Sequence, residues 1–452
     1  MRRHLLAWAA IPCLGVPLGF IPLGRLATLL RADPAPTFQP LGLQGQRLVA
    51  DWRSAWMVGL TADPAIDQIL AQYLAGLGQQ GRDIPQQGIW IQAQDSVVAQ
   101  HQGQAPLPAA SLAKLATTLA ALQRWPLDHR FDTWVGMQGT LEHGVLRGDL
   151  VVRGGGDPLF VWEEGIVLAN HLQTLGIERV TGDLVIGDGF TMNFSEDPNT
   201  SAAQLQRVMH RDTWNSDIRT AYRRLDANTA QPSLTLSGRV RRLPASDLPA
   251  NVTWLVRHQS LPLVAILKAM NIYSNNAMAD QVAALLGGAD GVTVAASAMA
   301  DLPPGELSLM NGSGLGIDNQ MSARAAVAMA VALQRELERQ GYSVADVLPV
   351  AGEDVGTLVN RHLPATAVVK TGTLADVSAL AGMVPTADQG PVWFAIINRG
   401  RNIATLRAQQ DQVIQAIQAH WGIAPLPAAM TARVNLKTAE YRYGDPRRNI
   451  AP

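Results

Sequence analysis

The sequence predicts an α/β protein of the α+β type with a β-rich module inserted into it. Three observations carry this expectation. Strand-like alternation at residues 88–94 is followed at once by a second short run at 96–100, a hairpin pattern. Three further alternating runs come late, at 365–371, 377–384 and 391–398. Between these groups, Leu112, Leu115, Leu119 and Leu122 recur at helical spacing.

The chain opens with Met1-Arg2-Arg3-His4 and then twenty uncharged residues, 5–24. A basic start and an apolar run read as a secretory signal or a membrane anchor, assigned to residues 1–32. Pro12, Pro17 and Pro22 suit a buried core helix poorly. Either form leaves the basic end inside and exports the rest, with membrane contact only through this segment if it is uncleaved. Cys13 lacks small residues before it and reads as a passive apolar residue. As the one cysteine, it excludes an intramolecular disulfide and a Cys-based zinc site.

A proline-containing linker covers about 33–60, and a helical stretch follows near 65–77. Residues 137–255 differ in texture and read as the inserted module. Within it, Gly148-Asp149-Leu150-Val151-Val152 and Gly182-Asp183-Leu184-Val185-Ile186 look alike, each a turn leading into a strand. Arginines are frequent from Arg207 to Arg242. Helical stretches are expected at 261–270, 277–286 and 406–421. Residues 33–136 and 256–425 form the main domain. The tail, 437–452, is polar and is expected to be disordered.

Lys+Arg total 36 against 37 Asp+Glu, a net charge of −1. That balance argues against a nucleic-acid partner. Only four of the 36 are lysines: Lys114, Lys268, Lys370 and Lys437. A lysine amine can lose its proton and act as a base, whereas guanidinium stays charged. Each lysine therefore asks why arginine was not used.

Lys114 follows Ser111 by three positions at a helix start, which puts both side chains on one face. A neutral lysine there can take the serine proton and make it a nucleophile. The helix N-terminus favours a developing oxyanion. Taken alone, a capping serine beside a solvated lysine is the better reading. Lys370 opens Lys370-Thr371-Gly372-Thr373 at the end of a strand run. It suits a substrate carboxylate, and Gly372 lets a ligand backbone approach; alone it could equally be an edge-strand lysine. Ser274-Asn275-Asn276 lies on a turn between helices, where a hydroxyl and an amide can relay a proton and hold a substrate amide. With four lysines, a chance S-x-x-K is expected roughly 0.2 times and a chance K-T-G about 0.02 times. Finding both, in order with S-x-N between, selects the catalytic reading.

That order is the signature of penicillin-binding proteins and serine β-lactamases. From about residue 70 to 425 the sequence resembles the D-alanyl-D-alanine carboxypeptidase/endopeptidase family, the low-molecular-mass class C penicillin-binding proteins. The resemblance includes Pro108-Ala109-Ala110-Ser111-Leu112-Ala113-Lys114, Gly154-Gly155-Gly156-Asp157-Pro158 and Met270-Asn271-Ile272-Tyr273-Ser274-Asn275-Asn276. It continues through Gly312-Ser313-Gly314-Leu315, Gly356-Thr357-Leu358 with Arg361, and Val369-Lys370-Thr371-Gly372-Thr373-Leu374. Ser111 and Ser274 stand 163 positions apart, which indicates an insert, as in this family. Two departures stand out: Asn311 where many members carry Asp, and Gly316 where Ser is usual.

The resemblance implies a penicillin-binding-protein/serine β-lactamase-like transpeptidase fold, an antiparallel sheet flanked by helices. It implies a serine-type hydrolase of peptidoglycan stem peptides that β-lactams inhibit covalently, with no cofactor and no metal. Ser111 would be acylated, Lys114 would be the base and Ser274 the proton relay. Asn276 would position the substrate. Lys370, Thr371, Gly372 and Thr373 would bind it, Lys370 and Thr371 at the terminal carboxylate. Backbone N–H groups of Ser111 and Thr373 would form the oxyanion hole. A cationic Lys370 is expected to depress the pKa of Lys114. A β-lactamase or esterase on the same fold, or a catalytically silent peptidoglycan-binding protein, remain the alternatives.

Overall fold

The computed structural model describes residues 59–60 and 63–452 apart from Asp95. The signal or anchor at 1–32, Cys13 and almost all of the linker at 33–60 lie outside the described residues.

The main sheet has six strands in the order Gly59–Leu60, Ser96–His101, Gln87–Ala93, Gly390–Arg399, Val377–Thr386, Val368–Leu374. All pairs are antiparallel except the first. Ile396 faces Ile89 and Phe394 faces Ile91, so the early hairpin and the late strands meet at the centre. Alternation sorts the side chains by face. Ile89, Ile91, Phe394 and Ile396 turn to helices Pro64–Gln79 and Ile403–His420, where Leu70, Leu77, Ile414 and Ile417 are buried. Trp90, Trp393, Ala395 and Ile397 turn the other way, into the core shared with helices Ala113–Arg124, Leu263–Tyr273 and Ala323–Glu338. Asp63 caps the first helix through the N–H groups of Ala65 (2.9 Å) and Ile66 (3.3 Å) and accepts from Trp421 Nε1 (3.1 Å). One carboxylate thus both starts a helix and ties it to the end of another.

Strands between 132 and 259 build a second, mixed sheet with its own core around Leu150, Val152, Ile166, Leu184 and Val256. The two look-alike segments are neighbours in it. They pair in parallel, Leu150 with Leu184, Val151 with Val185 and Val152 with Ile186, across helix Trp162–Thr174. Their turns also match: Asp183 N–H donates to Asp149 Oδ1 (2.7 Å). A third turn, Gly238-Arg239, repeats the contact, with Arg239 N–H donating to Asp183 Oδ1 (2.9 Å).

The tail departs from the expectation of disorder. Asn449–Ile450 adds an outer strand to the second sheet against Arg257 and His258. Arg448, 8% exposed, pairs with buried Glu164 at 2.5 Å, and Asn449 Oδ1 meets His258 Nδ1 at 2.7 Å. The polar side chains are buried partners, not solvated ones. Helices Gly288–Met299 and Ala323–Glu338 were not expected from the sequence pattern. Among the described residues, no single helix is long and apolar enough to cross a membrane.

Candidate active site

Ser111 sits in the one-turn helix Ala110–Leu112, directly before helix Ala113–Arg124. Ala110, just before it, has φ +47°, a left-handed conformation that L-residues rarely adopt. Lys114 is in the first turn of the longer helix and is 0% exposed. Its Nζ donates to Ser111 Oγ (3.1 Å), Asn276 Oδ1 (2.8 Å) and the Ser313 carbonyl (2.8 Å).

Helix Leu263–Tyr273 ends at Ser274, itself left-handed at φ +51° and ψ +40°. Such strain in a non-glycine residue is held by surrounding structure and gathers at functional sites. Asn275 caps the next helix, Asn276–Ala284, by accepting from Met278 N–H (3.0 Å). The tight turn delivers Asn276 to Lys114 and Ser274 to Lys370, whose Nζ donates to Ser274 Oγ (2.9 Å) and to the Thr371 carbonyl (2.8 Å).

Lys370 lies on Val368–Leu374, the edge strand of the main sheet. A Cβ on Gly372 would come within 3.1 Å of the Ala109 carbonyl, Ala110 Cβ and Ser111 N. The glycine therefore lets the edge strand lie against the serine turn. Thr371 is buried, and Thr373 is exposed with its Oγ1 accepting from Arg407 (2.6 Å). Each of the three motifs thus contacts the other two, Lys114 and Asn276 across 162 positions of sequence and Ser111 and Gly372 across 261.

Burial lowers the Lys114 pKa to about 7, and Asp280 opposes this weakly. The expected source of the shift was different: Lys370 was to depress Lys114. Instead burial does so, and the like-charge effect falls on Lys370, which burial and Lys114 together hold well below the ordinary lysine value. Two ammonium groups in one desolvated cleft cannot both stay charged cheaply.

Two supporting residues, Asp280 and Arg407, escaped the sequence reading. Asp280 Oδ1 accepts from Ser313 N–H (2.9 Å), which places the Ser313 carbonyl on Lys114. Asp280 follows Asn276 by four on one helix, a spacing that could have drawn attention to it. Arg407 carried no signal. Asn311 Oδ1 accepts from Ser313 Oγ, Gly314 N–H and Leu315 N–H (2.8–3.1 Å), and its amide donates to the Leu315 carbonyl (2.8 Å). An amide in place of the carboxylate keeps the acceptor and adds a donor. Gly154–Gly156 ends a strand against Gly189 and Asp132 and forms no phosphate loop. Beside Ser274, a cavity of about 840 Å³ is bordered by Tyr273, Asn275, Trp162, Glu163, Arg224 and Tyr443.

The model of the D-Ala-D-Ala carboxypeptidase 3 (S13) family matches residues 70–235 and 200–420. The chain belongs to this family. This S13 chain is 28% identical over 350 residues to the carboxypeptidase DacB of Mycolicibacterium smegmatis, covering 65% of this chain and 71% of that one. It is 34% identical over 190 residues to the D-alanyl-D-alanine carboxypeptidase of Actinomadura sp. R39, covering 38% and 34%. The predatory endopeptidase Bd3459 of Bdellovibrio bacteriovorus shares the fold with a TM-score of 0.67 at 20% identity, over 79% of this chain and 98% of that one. Penicillin-binding protein 4 of Haemophilus influenzae does so at 0.57 and 20%, over 78% and 99%. The S13 chain is thus a serine-type D-Ala-D-Ala carboxypeptidase with a transpeptidase-type fold.

Proposed function

We propose that the enzyme removes terminal D-alanine from peptidoglycan stem peptides through an acyl-enzyme on Ser111, and that it also opens D-alanyl crosslinks. The observation that carries this is a fully buried Lys114 amine, 3.1 Å from Ser111 Oγ, whose pKa burial brings down to about 7. Near neutral pH a large fraction of that amine is unprotonated and able to accept the serine proton.

The substrate carboxylate binds at Lys370 and Thr371. Its negative charge restores the proton on Lys370, and a cationic Lys370 then keeps Lys114 neutral. Lys114 takes the Ser111 proton as Oγ attacks the penultimate D-alanine carbonyl. Backbone N–H groups of Ser111 and Thr373 receive the oxyanion. Ser274, linked to Lys370, hands a proton to the leaving amine, while Asn276 holds the substrate amide. Water then releases the acyl group. A β-lactam follows the same first step and remains as an adduct. The cavity beside Ser274 receives the stem-peptide side chain upstream of the scissile bond; the acid Glu163 and the base Arg224 both border it. Residues 137–255 form an accessory module whose helices and loops wall this cavity, and residues 1–32 direct export to the periplasm or the outer face of the membrane.

The test is product analysis by mass of a pentapeptide and a crosslinked muropeptide, with Ser111→Ala as control. D-Alanine release by the wild type alone supports the proposal. Wall binding without release would identify a silent binding protein, and fast turnover of a chromogenic cephalosporin a β-lactamase.

A further inference from the structure

We propose that the outward side of helix Ser216–Tyr222 carries a binding site for a phosphodiester-bearing anionic glycopolymer of the cell envelope. Residues 207–242 hold eight arginines against three acids. Five of the arginines fall into two groups. On the strand Val240–Leu243, Arg241 lies 3.4 Å from Asp183 and 4.0 Å from Asp149, and Arg242 lies 3.3 Å from Asp188. These are matched charges. Arg211, Arg219 and Arg223 instead border a cavity of about 550 Å³ with Trp214 and Tyr222. Among the described residues lining it, Asp212 is the one acid, and it is exposed and 3.8 Å from Arg211.

The frame of the cavity is braced while its charges are not. Trp214 Nε1 donates to the Val208 carbonyl (2.9 Å), and Tyr222 Oη to the Thr229 carbonyl (2.6 Å), with ring centroids 5.2 Å apart. Arg219 uses only Nε, on the Trp214 carbonyl (3.3 Å), and Arg223 one terminal nitrogen, on Thr220 Oγ1 (2.8 Å). The other guanidinium donors are available to a ligand. Their planar forks match phosphate oxygens, and Arg219 and Arg223, one helical turn apart, can serve successive anionic groups. The concave shape suits a polymer better than a flat bilayer. Trp214 is buried, so it offers no platform for nucleobase stacking.

The opposite side of the same helix contributes Asp217, Thr220 and Ala221 to the cavity beside Ser274. A captured polymer would therefore hold the wall next to the catalytic cleft. The naming of a wall polymer rests on the proposed function; the anion site does not.

The test measures binding of a glycerol phosphate oligomer, inorganic phosphate, phosphatidylglycerol vesicles and oligothymidylate to the full chain, at low and high salt. Arg219→Ala/Arg223→Ala should bind the oligomer about tenfold more weakly or worse. Arg147→Ala, an exposed arginine elsewhere, should not, and penicillin labelling of Ser111 should be unchanged throughout. Arg211→Glu repeats the test should the double variant misfold. Equal affinity in the variants, no binding at low salt, phosphate binding as tightly as the oligomer, or preference for vesicles or oligothymidylate would each overturn the proposal. Failure to release D-alanine with oligomer binding intact would count against the proposed function alone.

Discussion

Helix Leu263–Tyr273 carries one buried lysine, Lys268, and ends at the cleft that holds two more, and the two sites differ in a single kind of neighbour. At the cleft, Lys114 and Lys370 meet hydroxyls, an amide and carbonyls, with no carboxylate in hydrogen-bond contact. Six residues before the cleft serine Ser274, Lys268 is as buried, yet Asp354 Oδ2 lies 2.7 Å from it. It also donates to the carbonyls of Ala345 and Leu348, each at 2.7 Å. Burial lowers the pKa at both sites, and at Lys268 the Asp354 ion pair works against it. On the proposed mechanism, withholding a carboxylate is what turns a buried lysine from a strut into a base.

The largest way to break this comparison is Lys114→Arg. A guanidinium cannot act as base, so penicillin labelling of Ser111 should fall by about a thousandfold or more while the melting profile shows a folded chain. A folded variant that labels at the wild-type rate would sink the role of Lys114.

Lys268→Met should reverse the pattern. It strands Asp354 and should destabilise the fold by about 3 kcal/mol in urea titration, with labelling per folded molecule nearly unchanged. A catalytic collapse without loss of stability would mean that the two sites were assigned wrongly.

The pH profile of labelling tests the cleft directly. The reactive form of Lys114 is the neutral one, so the acylation rate should climb as pH rises through about 7 and level off above it. A rate that falls across that range would contradict the sign.

Smaller effects follow from the supporting loops. Gly372→Ala puts a Cβ 3.1 Å from Ser111 N, and a shift of a few tenths of an ångström should slow labelling about fivefold. Asn311→Asp keeps the acceptor used by Ser313, Gly314 and Leu315, so the rate should stay within about twofold.

The cleft was legible because its chemistry demands rare residues. Lys114 and Lys370 stood out in a chain that otherwise uses arginine, and local motifs placed Ser274 and Asn276. The hairpin and late strands were legible from alternation, since each has two faces with different neighbours. Helix Ala323–Glu338 was not, because it is buried along most of its length and its run 325–333 is apolar throughout, with no polar residue to mark a period. The tail misled for the opposite reason: Arg448 and Asn449 look solvated until Glu164 and His258, far away in sequence, are brought to them. The third turn of the second sheet hid because Arg239 supplies only its backbone N–H, so no side-chain type marks the contact.

That second sheet has a consequence for assembly. Its outermost strand, Asn449–Ile450, pairs with residues about 190 positions earlier, as His258 and Asn449 show. The ribosome makes every strand of the main sheet between those two points or before them. The module therefore waits, with one edge open, until the catalytic body has been synthesised, and a long loop must close before the edge is covered. Order of synthesis and order of completion run opposite ways: the module is begun in the middle of translation and is finished after the cleft it borders.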